Sequence, residues 1–260
     1  MLVAFVFILG LLVGSFLNVV IFRLHRGESF ISGNSKCLFC SHKLKARDLV
    51  PLFSYLFLKG RCRHCKHKFS AQYFLVEIAT ALSFVLIYIN IFPNLDILSG
   101  SWLDIWQLFV WFTMVSWLII IFVYDLRHYL ILDIVVIPAI VLALIFNFVL
   151  GFNILHLLLA GLVGGGFFLF QFLISKGKWI GGGDIRLGVF MGVLLGWPHI
   201  LTALFLAYIL GSVISIILLT TNKKHLTDKV PFGTFLTLAT IITMLYGDWL
   251  VAWYWSILSF

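Results

Sequence analysis

Long unbroken apolar runs dominate this chain and leave it few ways to fold. Eight can be drawn, at 2–22, 73–92, 103–124, 131–150, 154–175, 184–196, 198–220 and 232–257. Most reach the roughly 18 residues that carry a helix across a bilayer. The sixth is short, which suggests a tilted or partly re-entrant segment, or one entered from a water-filled recess. With 62% hydrophobic and 11% charged residues, the chain lies outside the usage of soluble domains. An all-α polytopic membrane protein of about eight transmembrane helices is expected. The first run lacks a basic n-region and ends at Arg23 and Arg26, not at a small-residue cleavage site. It reads as a retained helix and not as a signal peptide.

Charge then orients the helices. Alternating the runs across a membrane puts 23–72, 125–130, 176–183 and 221–231 on one side. The N-terminus, 93–102, 151–153, residue 197 and the C-terminus fall on the other. All 18 Lys and Arg residues lie in or beside the first set. Asp96, Asp104 and Asp248 lie in or near the second. Positive charge stays in the cytosol, so the first set is read as cytoplasmic and both termini as outside. Trp102, Trp106, Trp197, Trp249, Trp253 and Trp255 cluster near the outer ends, as interfacial aromatics do. The net charge of +8 is thereby explained by topology. Nucleic acid is not expected as a partner, because basic and aromatic residues do not interleave on a soluble face. The sizeable polar stretch, 23–72, is expected as a small cytoplasmic domain between a first helix at 1–22 and a membrane domain at 73–260.

That stretch holds all four cysteines. Cys37-Leu-Phe-Cys40 and Cys62-Arg-His-Cys65 are two C-x2-C knuckles separated by 21 residues. Each can offer two thiolates, and together they complete a four-sulfur zinc site. So short a domain builds little hydrophobic core, so a metal would supply most of its folding free energy. A pair of disulfides or a redox dithiol is the alternative, and a cytosolic location disfavours the former. His64 and His67 can substitute as ligands, although exposed loop residues is the simpler reading.

Acids placed where lipid should exclude them are functional candidates. Asp125 closes the third run in Val-Tyr-Asp-Leu-Arg-His, and Asp184 opens the sixth in Gly181-Gly-Gly-Asp-Ile-Arg-Leu-Gly188. The topology puts both at cytoplasmic helix ends. Two facing carboxyls do not both ionise readily, so one stays protonated while the other is charged. The charged one can take a proton from an attacking water, and the neutral one can donate to the carbonyl oxygen. Gly181, Gly182 and Gly183 lack a Cβ, so the backbone can bend and a second chain can approach Asp184. The plainer alternative makes both acids helix-end residues, with Asp184 an N-cap. Asp133 competes as a catalytic acid, but about 12 Å along a helix from Asp125 it is poorly placed to share a water.

These pieces together resemble the type IV prepilin peptidase family, GxGD-type intramembrane aspartic proteases that include the late-competence peptidases. Gly14-Ser-Phe-Leu-Asn-Val-Val-Ile-Phe-Arg-Leu24 looks like its N-terminal signature. The two knuckles follow, enclosing Asp48-Leu-Val-Pro-Leu-Phe-Ser-Tyr55, and then come Tyr73-Phe-Leu-Val-Glu77, Asp125, the glycine turn at Asp184 and Val230-Pro-Phe-Gly-Thr-Phe235. The resemblance implies a bacterial inner-membrane enzyme whose catalytic aspartates match Asp125 and Asp184. Its substrates are prepilins or pseudopilins, cut behind a short basic leader at the cytoplasmic face. Many members also methylate the new N-terminus with S-adenosylmethionine, an activity associated with the region matching 14–77. Glu77 is then a contact for the methyl donor or a substrate amine, or else the partner of a loop lysine. The departures, Leu38 in the first knuckle, His25 and Leu132 where proline is common, remove no expected acid or thiol.

A proton- or cation-coupled transporter using the same acids is the competing function, and a zinc-anchored scaffold is a third. The Gly10-x3-Gly14 pattern and the run 161–166 suggest close helix packing. His128 can tune Asp125. A basic leader must find acids on a basic face, and Glu28, Asp48 and Asp228 are the candidates read from the sequence.

Overall fold

The structure, a computed structural model, describes residues 1–31, 33, 35–92, 101–221 and 230–258. The connections expected at 93–102, with Asp96, and at 221–231, with Asp228, lie largely outside them. Every regular element among the described residues is helical: α1 (Leu2–Arg26), a single 3-10 turn at Ala46–Asp48, α2 (Phe53–Phe57), α3 (Gln72–Ile91), α4 (Trp102–His128), α5 (Asp133–Val149), α6 (Ile154–Ser175), α7 (Gly182–Leu195), α8 (His199–Thr220) and α9 (Phe232–Leu258). Six of them, α1, α3, α4, α6, α8 and α9, are long and apolar enough to cross a membrane. The other two expected spans are shorter, 17 residues in α5 and 14 in α7. At 1.5 Å per residue, α7 covers roughly 21 Å of a hydrocarbon core about 30 Å thick. The chain divides into two compact units, Met1–Ile120 and Ile121–Phe260, with the boundary inside α4.

Lipid tails are as apolar as leucine, so helices in a membrane associate through close packing and not through burial from water. In the first unit α1 lies along α3. A Cβ on Gly10 would come 2.5 Å from the Ala81 Cα, and one on Gly14 would come 2.7 Å from the Glu77 Cα. One turn further, buried Asn18 donates to the Tyr73 carbonyl at 3.0 Å. Residues 10, 14 and 18 form one stripe at four-residue spacing, while Ile8, Leu12 and Phe16 point outward. Phe84 of α3 stacks on Phe112 of α4, the centroids 4.0 Å apart.

The second unit is built around α7, which touches α5, α6, α8 and α9. Gly188 and Gly192 of α7 meet Gly164 and Ala160 of α6 backbone to backbone, with no room for a side chain at either position. The run 161–166 is therefore used as its composition suggests. Gly161 and Gly165 receive the side chains of Val193 and Val189, while Gly166 faces open space. Asn147 of α5 donates to the Val193 carbonyl at 2.8 Å and so ties the end of α7 to its neighbour.

Candidate active site

Asp125 lies in the last turns of α4, and Asp184 is the third residue of α7. Both are buried, at 4% and 8% exposure. The first N–H groups of a helix lack partners within it and favour negative charge. Both carboxyls use that property. The Asp125 Oδ2 accepts the Thr234 N–H of α9 at 2.9 Å, and the Gly233 N–H also donates to this carboxyl. The Asp184 Oδ2 accepts the Gly181 N–H at the start of its own helix, at 3.0 Å. Asp184 thus sits inside the first turn and is not the N-cap; Gly181 occupies that place.

Ile131 packs against the glycines beside both acids. A Cβ on Gly183 would lie 2.8 Å from the Ile131 Cβ, and one on Gly233 would lie 2.9 Å from its Cδ1. The same Cβ on Gly233 would come 2.8 Å from the Asp125 Oδ2. Asp125, Gly233, Ile131, Gly183 and Asp184 therefore form one contiguous patch, and the Asp125 charge acts electrostatically on Asp184. None of Gly181, Gly182 and Gly183 takes a positive φ. Of the three, Gly183 has its space occupied, by Ile131, whereas Gly182 faces open space. Asp133 forms an ion pair with Arg186, linking the start of α5 to α7. His128 packs tilted against Tyr124, with ring centroids 4.7 Å apart.

The four cysteines sit on two turns of the same shape. Cys37 N–H donates to the His42 carbonyl and Cys62 N–H to the His67 carbonyl, each at 2.9 Å, and isolated bridges Lys36–Lys43 and Arg61–Lys68 close the turns. The sulfurs all lie within 4.8 Å of one another, with Cys37 and Cys65 at 3.9 Å. A tetrahedral ion with Zn–S bonds of about 2.3 Å spaces its sulfurs by about 3.8 Å, so the set fits a four-thiolate metal. None of the four is in a disulfide. Burial opposes ionisation of Cys62, yet the Cys65 and His64 N–H groups and the Cys37 and Cys65 thiols together outweigh it and bring the thiol down to about 7. At Cys65 the His67 N–H pulls downward, but burial and the neighbouring thiols prevail and hold it at about 11. A dication supplies the charge that lets all four be thiolates. His67 stacks on Phe39, and the His64 ring lies tilted against His42.

With this geometry in place, comparison with known proteins is informative. The family model described as the bacterial peptidase A24 N-terminal domain matches residues 8–91, and that of the type IV leader peptidase family matches residues 112–216. The chain is 30% identical to the prepilin leader peptidase/N-methyltransferase of Aeromonas salmonicida (strain A449), over 96% of its own length and 93% of the relative's. The chain belongs to the type IV leader peptidase family. The proteins of the same name from Pseudomonas aeruginosa and Bacillus subtilis (strain 168) are also 30% identical, over 97% and 95% of this chain and 93% and 96% of theirs. No solved structure matches it. The two family matches take in the cysteines, Glu77, Asp125 and Asp184, but Gly233 and Thr234 lie beyond both.

Glu77 is at 7% exposure, and its Oε2 accepts the Leu52 N–H at 2.8 Å. The Ser15 hydroxyl also bonds this carboxyl. Leu52 has φ 59 and ψ −55, a strained backbone for a side-chain-bearing residue. Here Glu77 fixes the turn that opens α2. Sequence reasoning offered a ligand contact or a lysine partner and missed this one. A buried acid opposite a strained loop residue has no signature in the sequence.

Proposed function

We propose that this chain is a membrane aspartic endopeptidase that removes the leader from type IV prepilins and pseudopilins, with Asp125 and Asp184 as its catalytic pair. The observation that carries the reading is the pair of buried carboxyls, each held through Oδ2 by helix-terminal N–H groups, with Ile131 packed against Gly183 and Gly233 beside them. The ionised carboxyl takes a proton from water as the water oxygen attacks the scissile carbonyl carbon. The neutral one gives its proton to the carbonyl oxygen, and collapse of the tetrahedral species returns a proton to the leaving amine. The pair titrates as a unit, so neither residue owns a fixed role through the cycle.

In this reading the first span is 1–22, the cytoplasmic module is 23–72, and the membrane domain is 73–260. Both termini lie outside, lipid surrounds the helices, and nucleic acid has no part. Cys37, Cys40, Cys62 and Cys65 hold a structural zinc, which closes the two turns into one fold. Relatives carry the name N-methyltransferase as well as peptidase. Methylation of the new N-terminus, with S-adenosylmethionine as donor, is the second activity in this reading. The Glu77 carboxyl, bound to Leu52 and Ser15, serves it by holding the segment and not by contacting the donor. No observation favours the transporter.

The test uses purified protein in detergent with a pilin-like precursor. Asp125→Asn and Asp184→Asn each lose cleavage by about 10³-fold or more, within the range for losing a general acid or base. Retained cleavage in either variant removes that aspartate from the mechanism.

A further inference from the structure

A protease for a cationic leader needs an acid that the leader can reach. Asp125 and Asp184 are buried, and both have work of their own. Of the other described acids in the second unit, Asp248 pairs with His199 and lies far along α9 from Gly233. In the first unit Asp48 is held by Arg63, Glu77 by Leu52 and Asp104 by Ser101. Glu28 borders a basic recess with Arg23, Lys36 and Lys43. Asp228 lies outside the described residues.

Asp133 differs from all of these. It opens α5, two residues beyond Ile131, the side chain that touches both Gly183 and Gly233. Its partner Arg186 lies two residues beyond Asp184 on α7. Both ends of the pair lie at the protein surface, with side-chain exposures of 44% for Arg186 and 51% for Asp133. Exposed ion pairs contribute little to stability, so one cation can replace another at small cost. The pair therefore marks an accessible carboxylate next to the candidate catalytic patch, with a guanidinium already seated on it.

We propose that Asp133 is the specificity-determining acid that receives a lysine or arginine of the substrate's leader, and that Arg186 occupies its place until the substrate displaces it. This rests on the peptidase reading above. The leader's cation exchanges with Arg186 on the Asp133 carboxylate, no bond is broken, and the basic leader is retained near a face that otherwise repels it. Arg186, once released, is free to turn to solvent.

The experiment compares two precursors, one with its native basic leader and one with the leader's Lys and Arg changed to Gln, using the full-length protein in detergent. The readout is the ratio of kcat/KM for the basic leader to that for the neutral one. Asp133→Asn lowers that ratio about fivefold, the scale of one exposed ion pair, and through KM more than kcat. Asp133→Lys inverts the preference, and a precursor with an acidic leader rescues it. Arg186→Gln acts in the opposite direction, lowering KM for the basic leader by removing the competing cation. If Asp133→Asn and Arg186→Gln change the ratio alike, the pair is a helix-to-helix brace and the proposal is overturned. An unchanged ratio in Asp133→Asn also overturns it while leaving the peptidase intact. Wild-type protein that cuts neither precursor overturns both.

Discussion

The cysteine module and the carboxyl pair reach their geometry by different routes. In the module each pair of thiols comes from a single short turn, and the two turns repeat the same hydrogen bonds. At the acid site the carboxyls come from two different helices, α4 and α7, and their partner N–H groups come from the start of a helix, α9 for Asp125 and α7 for Asp184. The turns form locally, but little buried apolar surface holds them, so in the proposed reading an ion supplies the cohesion. The acid site instead depends on backbones touching, as at Gly188 and Gly164. One region should therefore fail when its metal is removed, and the other when a methyl group is added.

The largest effect expected from that contrast is on the metal. Structural zinc in small modules binds with about 10–16 kcal/mol of apparent free energy. A double Cys37→Ser, Cys62→Ser variant should therefore lose its metal by elemental analysis and become open to proteolytic nicking within 35–71. Conversely, Gly188→Leu drives a side chain into the Gly164 carbonyl and Phe168. Overpacking of this kind costs about 1–3 kcal/mol, and it should lower both thermal stability and leader cleavage while the metal content stays whole. Loss of metal in Gly188→Leu would show that the two regions do not hold their geometry separately.

The contrast also decides what the amino-acid order revealed. The C-x2-C spacing is local, so the sulfur set could be read directly, and the glycine stripes gave away helix contacts because a missing Cβ has few other uses in a membrane helix. The apolar runs located α1 and α3 to α9, but helices that are hydrophobic on every side do not say which face meets which neighbour. That is why the N–H groups of Gly233 and Thr234 on Asp125, Ile131 against Gly183 and Gly233, and the Asp133–Arg186 pair came only with the structure. Each joins residues from different helices.

Glu77 sharpens the comparison, because it is a membrane-helix acid that serves a loop. Its hydrogen bond to the Leu52 N–H is part-buried, a class worth about 0.5–1.5 kcal/mol. Glu77→Ala should therefore release the strained turn at Leu52, read as faster nicking between 46 and 59 and a lower melting temperature. Glu77→Gln, which keeps an acceptor oxygen, should lose less. A Glu77→Gln protein that nicks like wild type but no longer methylates would instead place this carboxyl at the methyl donor.

The smallest effect belongs to Asp48, which ties the segment after the first knuckle to the second. Arg63, between Cys62 and Cys65, donates from Nε to the Asp48 Oδ1 at 2.7 Å, and this bond holds the carboxyl below the usual carboxylate range. Because the folded value is the lower one, the pair's contribution is complete above the unfolded value of about 4. It disappears as pH falls through the folded value. The pair is partly exposed, so the contribution is under about 1 kcal/mol. Acid also protonates the metal-binding thiolates, so one unfolding curve cannot isolate the pair. The difference between wild type and Arg63→Gln can, because thiolate protonation is common to both. That difference should be constant near neutral pH and shrink to nothing in strong acid; a gap that persists there would mean that Arg63 supports the turn through packing and not through Asp48.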